Sequence, residues 1–117
     1  MTDKAVILTT TASEAEASRI AYALVEQKLA ACVNIVPRVQ SIYRWQGKAE
    51  QGEEYLLLIK TSLALQQNVL AAVRSLHSYE VPEFVVLRIE SGSEEYLKWM
   101  TDSLVSKNDL RGRRPPS

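Results

Sequence analysis

Tyr55-Leu56-Leu57-Leu58-Ile59 is a run of five apolar residues with no polar side chain between them. A strand with one wet face alternates, and an amphipathic helix spaces its apolar residues three and four apart, so an unbroken run of this length suits a strand covered on both faces. Ala5-Val6-Ile7-Leu8 repeats the pattern near the start of the chain and closes in Thr9-Thr10-Thr11. Two such strands in one short chain belong at the centre of a sheet.

Upstream of the first run, the segment from Cys32 to Trp45 is rich in β-branched and aromatic residues and is interrupted by Pro37. Proline cannot donate to a ladder, so Pro37 marks an edge strand, a bulge or a bend. Gln46-Gly47-Lys48 supplies the turn, and Cys32–Trp45 with Glu53–Thr61 is expected to form a long hairpin with Trp45 near its tip. Phe84-Val85-Val86-Leu87-Arg88-Ile89 reads as a fourth strand.

Helices fill the gaps. Thr11-Ala12-Ser13-Glu14 has the spacing of a capping box and predicts a helix over 12–30. Its Ala17, Ile20, Ala21, Leu24, Val25 and Leu29 form one apolar stripe opposite Glu16, Arg19, Glu26 and Lys28. A second stripe, Leu65, Val69, Ala72, Val73 and Leu76, stops before His77-Ser78-Tyr79 and Pro82. Gly92-Ser93, followed by Glu94 and Glu95 in a first turn that suits acidic residues, opens a short helix turning Leu97, Met100 and Leu104 inward.

The order is therefore βαββαβ plus a C-terminal helix, which predicts an α+β, ferredoxin-like antiparallel sheet with helices on one face. One helical layer covers one face of a sheet, while both central strands are apolar on both faces. A symmetric copy of the same chain is the economical cover for the second face, so a homo-oligomer is expected.

The 117 residues fit one domain, placed at 1–104, followed by a basic tail at 105–117 carrying Lys107, Arg111, Arg113 and Arg114 against Asp109. That tail has too little apolar content to order itself and is expected to be flexible, as a solvated terminus or as an anion-binding arm. Fourteen basic residues balance fourteen acidic ones, which gives no general attraction for nucleic acid or an anionic membrane. An RNA-binding domain of this element order needs aromatic residues on both central strands, and Ala5-Val6-Ile7-Leu8 has none. Phosphatase chemistry on this fold needs a phosphate-cradling loop with an arginine, which Thr9-Thr10-Thr11-Ala12 lacks. A lone Cys32 excludes an intramolecular disulfide, and no apolar run approaches the ~20 residues that cross a bilayer, so a cytoplasmic protein is expected.

Several stretches resemble the CutA divalent-cation tolerance family: Ala30-Ala31-Cys32-Val33-Asn34-Ile35 on to Ser41-Ile42-Tyr43-Arg44-Trp45-Gln46-Gly47, then Ile59-Lys60-Thr61, His77-Ser78-Tyr79-Glu80-Val81-Pro82-Glu83 and Tyr96-Leu97-Lys98-Trp99. The resemblance implies a ferredoxin-like homotrimer, similar in shape to the PII signalling proteins, that serves tolerance of copper and other divalent cations without catalytic activity. It also implies a second reading, a PII-like signalling or interaction trimer with a small ligand in clefts between subunits.

Within that frame the candidate metal ligands are His77, Glu80, Glu83 and Cys32. Thiolate and imidazole suit copper and zinc, and carboxylates suit harder ions with water completing the shell. Each has an ordinary alternative: Cys32 as a small buried apolar side chain, His77 as a surface imidazole at a helix C-terminus. Some relatives are similar in holding copper through a cysteine at the end of the first strand and a pair of adjacent histidines. Thr9 and Leu76 stand at those places here, which implies weak binding of copper or another divalent cation, not required for folding. Lys60, Tyr79 and Glu83 match polar positions of a cleft between subunits, as an anionic-ligand site or as an ion pair locking the trimer. Tyr43, Trp45 and Trp99, with Tyr96, are expected to be packing or interface anchors.

Overall fold

A computed structural model describes residues 2–110. Four strands and three helices follow in the expected order: β1 (Lys4–Thr11), α1 (Glu14–Glu26), β2 (Cys32–Trp45), β3 (Lys48–Ser62), α2 (Gln66–Leu76), β4 (Val85–Arg88) and α3 (Glu94–Ser103). Short 3-10 turns lie at Leu63–Leu65 and Lys107–Leu110. The sheet is antiparallel in the order β2-β3-β1-β4, so the two unbroken apolar runs do lie at its centre.

Register assigns the faces. Ile7 pairs with Ile59, Thr9 with Leu57 and Val33 with Ile59, and this set, fully buried except for half-buried Val33, lies on the face covered by Ile20, Leu24, Val69 and Val73 of α1 and α2. On the other face Val6 and Cys32 flank Lys60, Leu8 and Asn34 flank Leu58, and Leu87 and Val85 pair with Val6 and Leu8. Val36, Val85 and Leu87 remain exposed there. One part of the same chain does reach this second face. The Lys60 ammonium lies 5.8 Å from the centre of the Tyr96 ring, so the first turn of α3 overhangs one end of it.

Local chemistry explains the element ends, with corrections. The expected capping box at Thr11 and Glu14 gives way to Ser13, whose side chain accepts from the Glu16 N–H, while Thr11 Oγ1 donates to the Ser13 carbonyl. Helix α1 ends at Glu26, four residues before the predicted end. Lys28 takes a left-handed φ of 59°, and the Lys28 and Leu29 N–H groups return to the Val25 and Leu24 carbonyls, the paired bonds of a Schellman cap. Ser93 caps α3 as expected, accepting from the Tyr96 N–H.

Pro37 resolves into a bulge on an edge strand. Val36 pairs with Leu56 and Val39 with Glu54, so Pro37 and Arg38 together oppose Tyr55, with Arg38 at a left-handed φ of 56°. The extra residue shifts the phase of the pleat. Val39, Ser41, Tyr43 and Trp45 therefore share the face of Cys32, Asn34 and Val36, and the two-residue turn at Gln46-Gly47, both at positive φ, closes the hairpin.

Packing also continues past the predicted boundary at 104. Val105 is buried and its N–H donates to the Lys28 carbonyl, and Leu110 packs against the core. The part of the expected 105–117 tail that follows residue 110 lies outside the described residues.

Candidate functional site

Two places gather polar side chains. The first lies where β1, α1 and the connection after α2 meet. The ring of His77, which directly follows α2, has no exposed surface, so it is not the surface imidazole that the helix end suggested. Its Nε2 lies 2.6 Å from the Thr10 carbonyl, an acceptor only, so Nε2 carries a proton and donates. Its Nδ1 has two neighbours: the Tyr79 N–H at 3.0 Å and Glu16 Oε1 at 3.3 Å. Glu16 is itself buried and accepts from both the N–H and the hydroxyl of Ser78.

Tyr79 continues the network outward. Its ring lies 4.7 Å from that of His77, and its hydroxyl donates to Glu54 Oε2 at 2.8 Å, tying the connection to the hairpin. Burial first, then the hydrogen bond and charge of Glu54 and the charge of Glu16, push the Tyr79 hydroxyl up to about 12.

The second place is the Lys60 end of the open sheet face. Cys32 sits directly opposite Lys60, half-buried, with its Sγ 3.9 Å from Asn34 Oδ1. Among the described residues no carboxylate pairs with Lys60, and its contact is with Tyr96, whose ring stacks at a tilt on Trp99 5.4 Å away.

These positions separate the sequence candidates. Lys60 and Tyr79 do not meet within one chain: Tyr79 holds Glu54, six residues from Lys60 along β3, a span of about 20 Å at ~3.3 Å per residue. Glu80 and Glu83 are exposed in the connection between α2 and β4. Among the described residues, no three of His, Cys, Asp or Glu converge as a metal cage would require. Both His77 nitrogens are engaged, so ligation by His77 would break the bond to Thr10 or the one to Tyr79. One chain's donor set therefore does not fit a resident metal centre. Thr9, buried on the core face, keeps a hydroxyl without a hydrogen-bond partner among the described residues. Tyr43, Trp45 and Trp99 are all exposed.

Glu16, Thr10 and Glu54 were not singled out by sequence. A signal existed for Glu16: Ser13-Glu14-Ala15-Glu16 repeats the S/T-x-x-E spacing two residues after the first instance, and a carboxylate at that place is held near a helix start. Glu54 carries no comparable mark.

Comparison with known proteins places these features. Residues 5–103 match the family described as CutA1 divalent ion tolerance protein. A divalent-cation tolerance protein CutA of Thermus thermophilus is 50% identical over 98 residues, 84% of this chain and 95% of that protein. Human protein CutA is 44% identical over 97 residues, 83% of this chain, and the match spans only 54% of the human protein's length. The solved structure of a divalent cation tolerance protein from Thermus thermophilus superposes with a TM-score of 0.85 at 48% identity, covering 87% of this chain and 99% of that one.

Proposed function

Because the chain belongs to the CutA1 divalent ion tolerance family, we propose that it acts in tolerance of, or response to, divalent cations, copper among them, as a cytoplasmic homotrimer without catalytic activity. The observation that carries this reading is the family match across residues 5–103, which spans every strand and helix from β1 to α3. Support for the assembly comes from the open sheet face. Val6, Leu8, Leu56 and Leu58 form an apolar grid there, continued by exposed Val36, Val85 and Leu87, and an unpartnered apolar surface of this kind is stabilised by a second copy. The re-phased Tyr43 and Trp45 extend the same face along the hairpin.

The cation is cargo in this reading. Glu80 and Glu83 offer exposed carboxylate oxygens, water fills the remaining positions, and Cys32 is the soft donor available on the open face. Binding of copper is then micromolar or weaker, about −8 kcal/mol or less favourable. Light scattering should give three times the chain mass at micromolar concentration, and copper calorimetry should show weak uptake reduced by E80Q and E83Q. A stable monomer, or copper affinity unaltered in the double variant, overturns the corresponding half of the proposal.

Lys60 favours a second reading, a PII-like trimer with a small anion in its clefts. An ammonium over the ring of Tyr96, which itself stacks on Trp99, and paired with no carboxylate among the described residues is suited to an anionic ligand reaching across from a neighbouring subunit. Titration with nucleotides and small carboxylates, compared with Lys60→Gln, separates this reading from the first.

A further inference from the structure

We infer, building on Lys60 as an anion site, that this corner of the open sheet face is made for an aromatic carboxylate: Lys60 takes the carboxylate, and the exposed rings of Tyr96 and Trp99 take the flat body of the ligand.

The charge comes first. Lys60 is half-buried on β3, and drawing an ammonium out of water costs free energy that a counterion normally offsets. Among the described residues no carboxylate is paired with it. Glu94 and Glu95 share the first turn of α3 with Tyr96, yet neither is paired with the ammonium. The Tyr96 ring, its centre 5.8 Å from Lys60 Nζ, gives only the partial compensation of a ring quadrupole. One negative charge is missing at this corner.

The rings come next. Met100 is fully buried and Leu97 partly so, which turns that flank of α3 inward. Tyr96 and Trp99, three residues apart, are neighbours on another flank and keep 42% and 46% of their surface exposed. Their ring centres are 5.4 Å apart with the planes tilted by 37°, so they form one continuous aromatic surface beside the ammonium. That surface is fixed in place. The Tyr96 N–H donates to the Ser93 cap, the Ser103 hydroxyl donates to the Trp99 carbonyl, and the Val105 N–H ties the end of α3 to the Lys28 carbonyl. Little further ordering is needed for a ligand to bind.

Dimensions narrow the class. Since Tyr96 neighbours both, Lys60 Nζ and the centre of the Trp99 ring are at most about 11 Å apart. A carboxylate oxygen about 2.8 Å from the ammonium and a ring stacked about 4.5–7 Å from the Trp99 centre leave room for one small aromatic acid between them. An aliphatic acid supplies the charge without the stacking. A neutral aromatic compound stacks and leaves the ammonium unpaired. Only an aromatic acid uses both parts of the corner.

Benzoate, cyclohexanecarboxylate and benzyl alcohol are alike in size and differ in ring or charge. They are titrated into the intact assembled protein while the indole N–H signals of Trp99 and Trp45 are followed by NMR. Benzoate should bind about fivefold tighter than cyclohexanecarboxylate, the increment of ring stacking. It should bind about tenfold tighter than benzyl alcohol, the increment of a charged hydrogen bond. The Trp99 signal should move and that of Trp45, at the far hairpin tip, should not. Trp99→Leu should erase the first preference and Lys60→Gln the second. Equal, Lys60-dependent binding of benzoate and cyclohexanecarboxylate overturns the aromatic class and leaves the anion site standing, whereas no binding of either acid overturns both. Benzoate binding without a response at Trp99, or a benzoate preference that survives Trp99→Leu, also overturns the inference. The comparison of three ligands uses the parent protein alone, so a poorly folding variant does not blunt it.

Discussion

Leu57 and Ile59, at the root of the β2–β3 hairpin, have no exposed surface, whereas Ile42 and Trp45 near its tip keep 72% and 60% of theirs. All four belong to the same pair of strands. At the root, β1 lies alongside and α1 and α2 lie above, so each apolar side chain meets partners from its own chain. Beyond the bulge at Pro37 and Arg38, no third strand lies alongside β2 and β3, and the Tyr79 hydroxyl reaches only Glu54 at the near end. A two-stranded ribbon is marginal in water by itself, so the contrast separates what one chain stabilises internally from what it leaves exposed.

The largest effect should come from the root. Leu57→Ala removes a fully buried side chain between two layers, and chemical denaturation should register a loss of about 3 kcal/mol with secondary structure retained in the absence of denaturant. A loss below about 1 kcal/mol would mean that the root is not the internally held half.

Trp45→Ala should do the reverse. The subunit's circular dichroism should stay the same while association weakens by about 2 kcal/mol, the scale of an aromatic anchor at an interface, read by sedimentation at decreasing concentration. Equal association constants for variant and parent would erase the distinction between root and tip.

The smallest effect tests the joint between the two regions. The Tyr79 hydroxyl is held in its neutral form, pushed up from 10.0 to about 12 chiefly by burial and then by Glu54. The folded state therefore holds this proton more tightly than the unfolded state does. That contribution is fully present below about pH 10 and is lost as pH rises towards 12. Because more than a third of Tyr79 is exposed, solvent screening reduces its value to about 1 kcal/mol. Tyr79→Phe should show that much less decline in stability between pH 10 and 12 than the parent. Parallel curves would mean that the bond to Glu54 does not join connection and hairpin.

Much of the architecture was legible because the signals are local. The unbroken runs Ala5–Leu8 and Tyr55–Ile59 located the central strands, the stripes through Ile20 and Val69 located the covering helices, and Pro37 announced an irregular edge. The first cap was misplaced because two S/T-x-x-E patterns overlap, and only the fold decides between Thr11 and Ser13. The polar network was hidden for another reason. Glu16 looks like a solvent-facing residue of α1, yet its partner Ser78 lies 62 positions away, and His77 reaches Thr10 across 67. Contacts at such separations leave no periodicity to read. The bonds that occupy both His77 nitrogens were equally out of sight, so its standing as a metal donor could not be weighed from sequence.

The bulge has a consequence for how insertions and deletions would act on this chain. Side chains on a strand alternate strictly, so one residue added or removed exchanges the two faces of everything beyond it. Pro37 and Arg38 introduce that exchange once, and it is what sets Tyr43 and Trp45 on the face of Val36 while Ile42 and Arg44 point the other way. Loss of either residue would restore the regular pleat and turn the distal hairpin inside out, with every remaining side chain unaltered in identity. The address of Trp45 is thus written in chain length rather than in composition, much as a reading frame is.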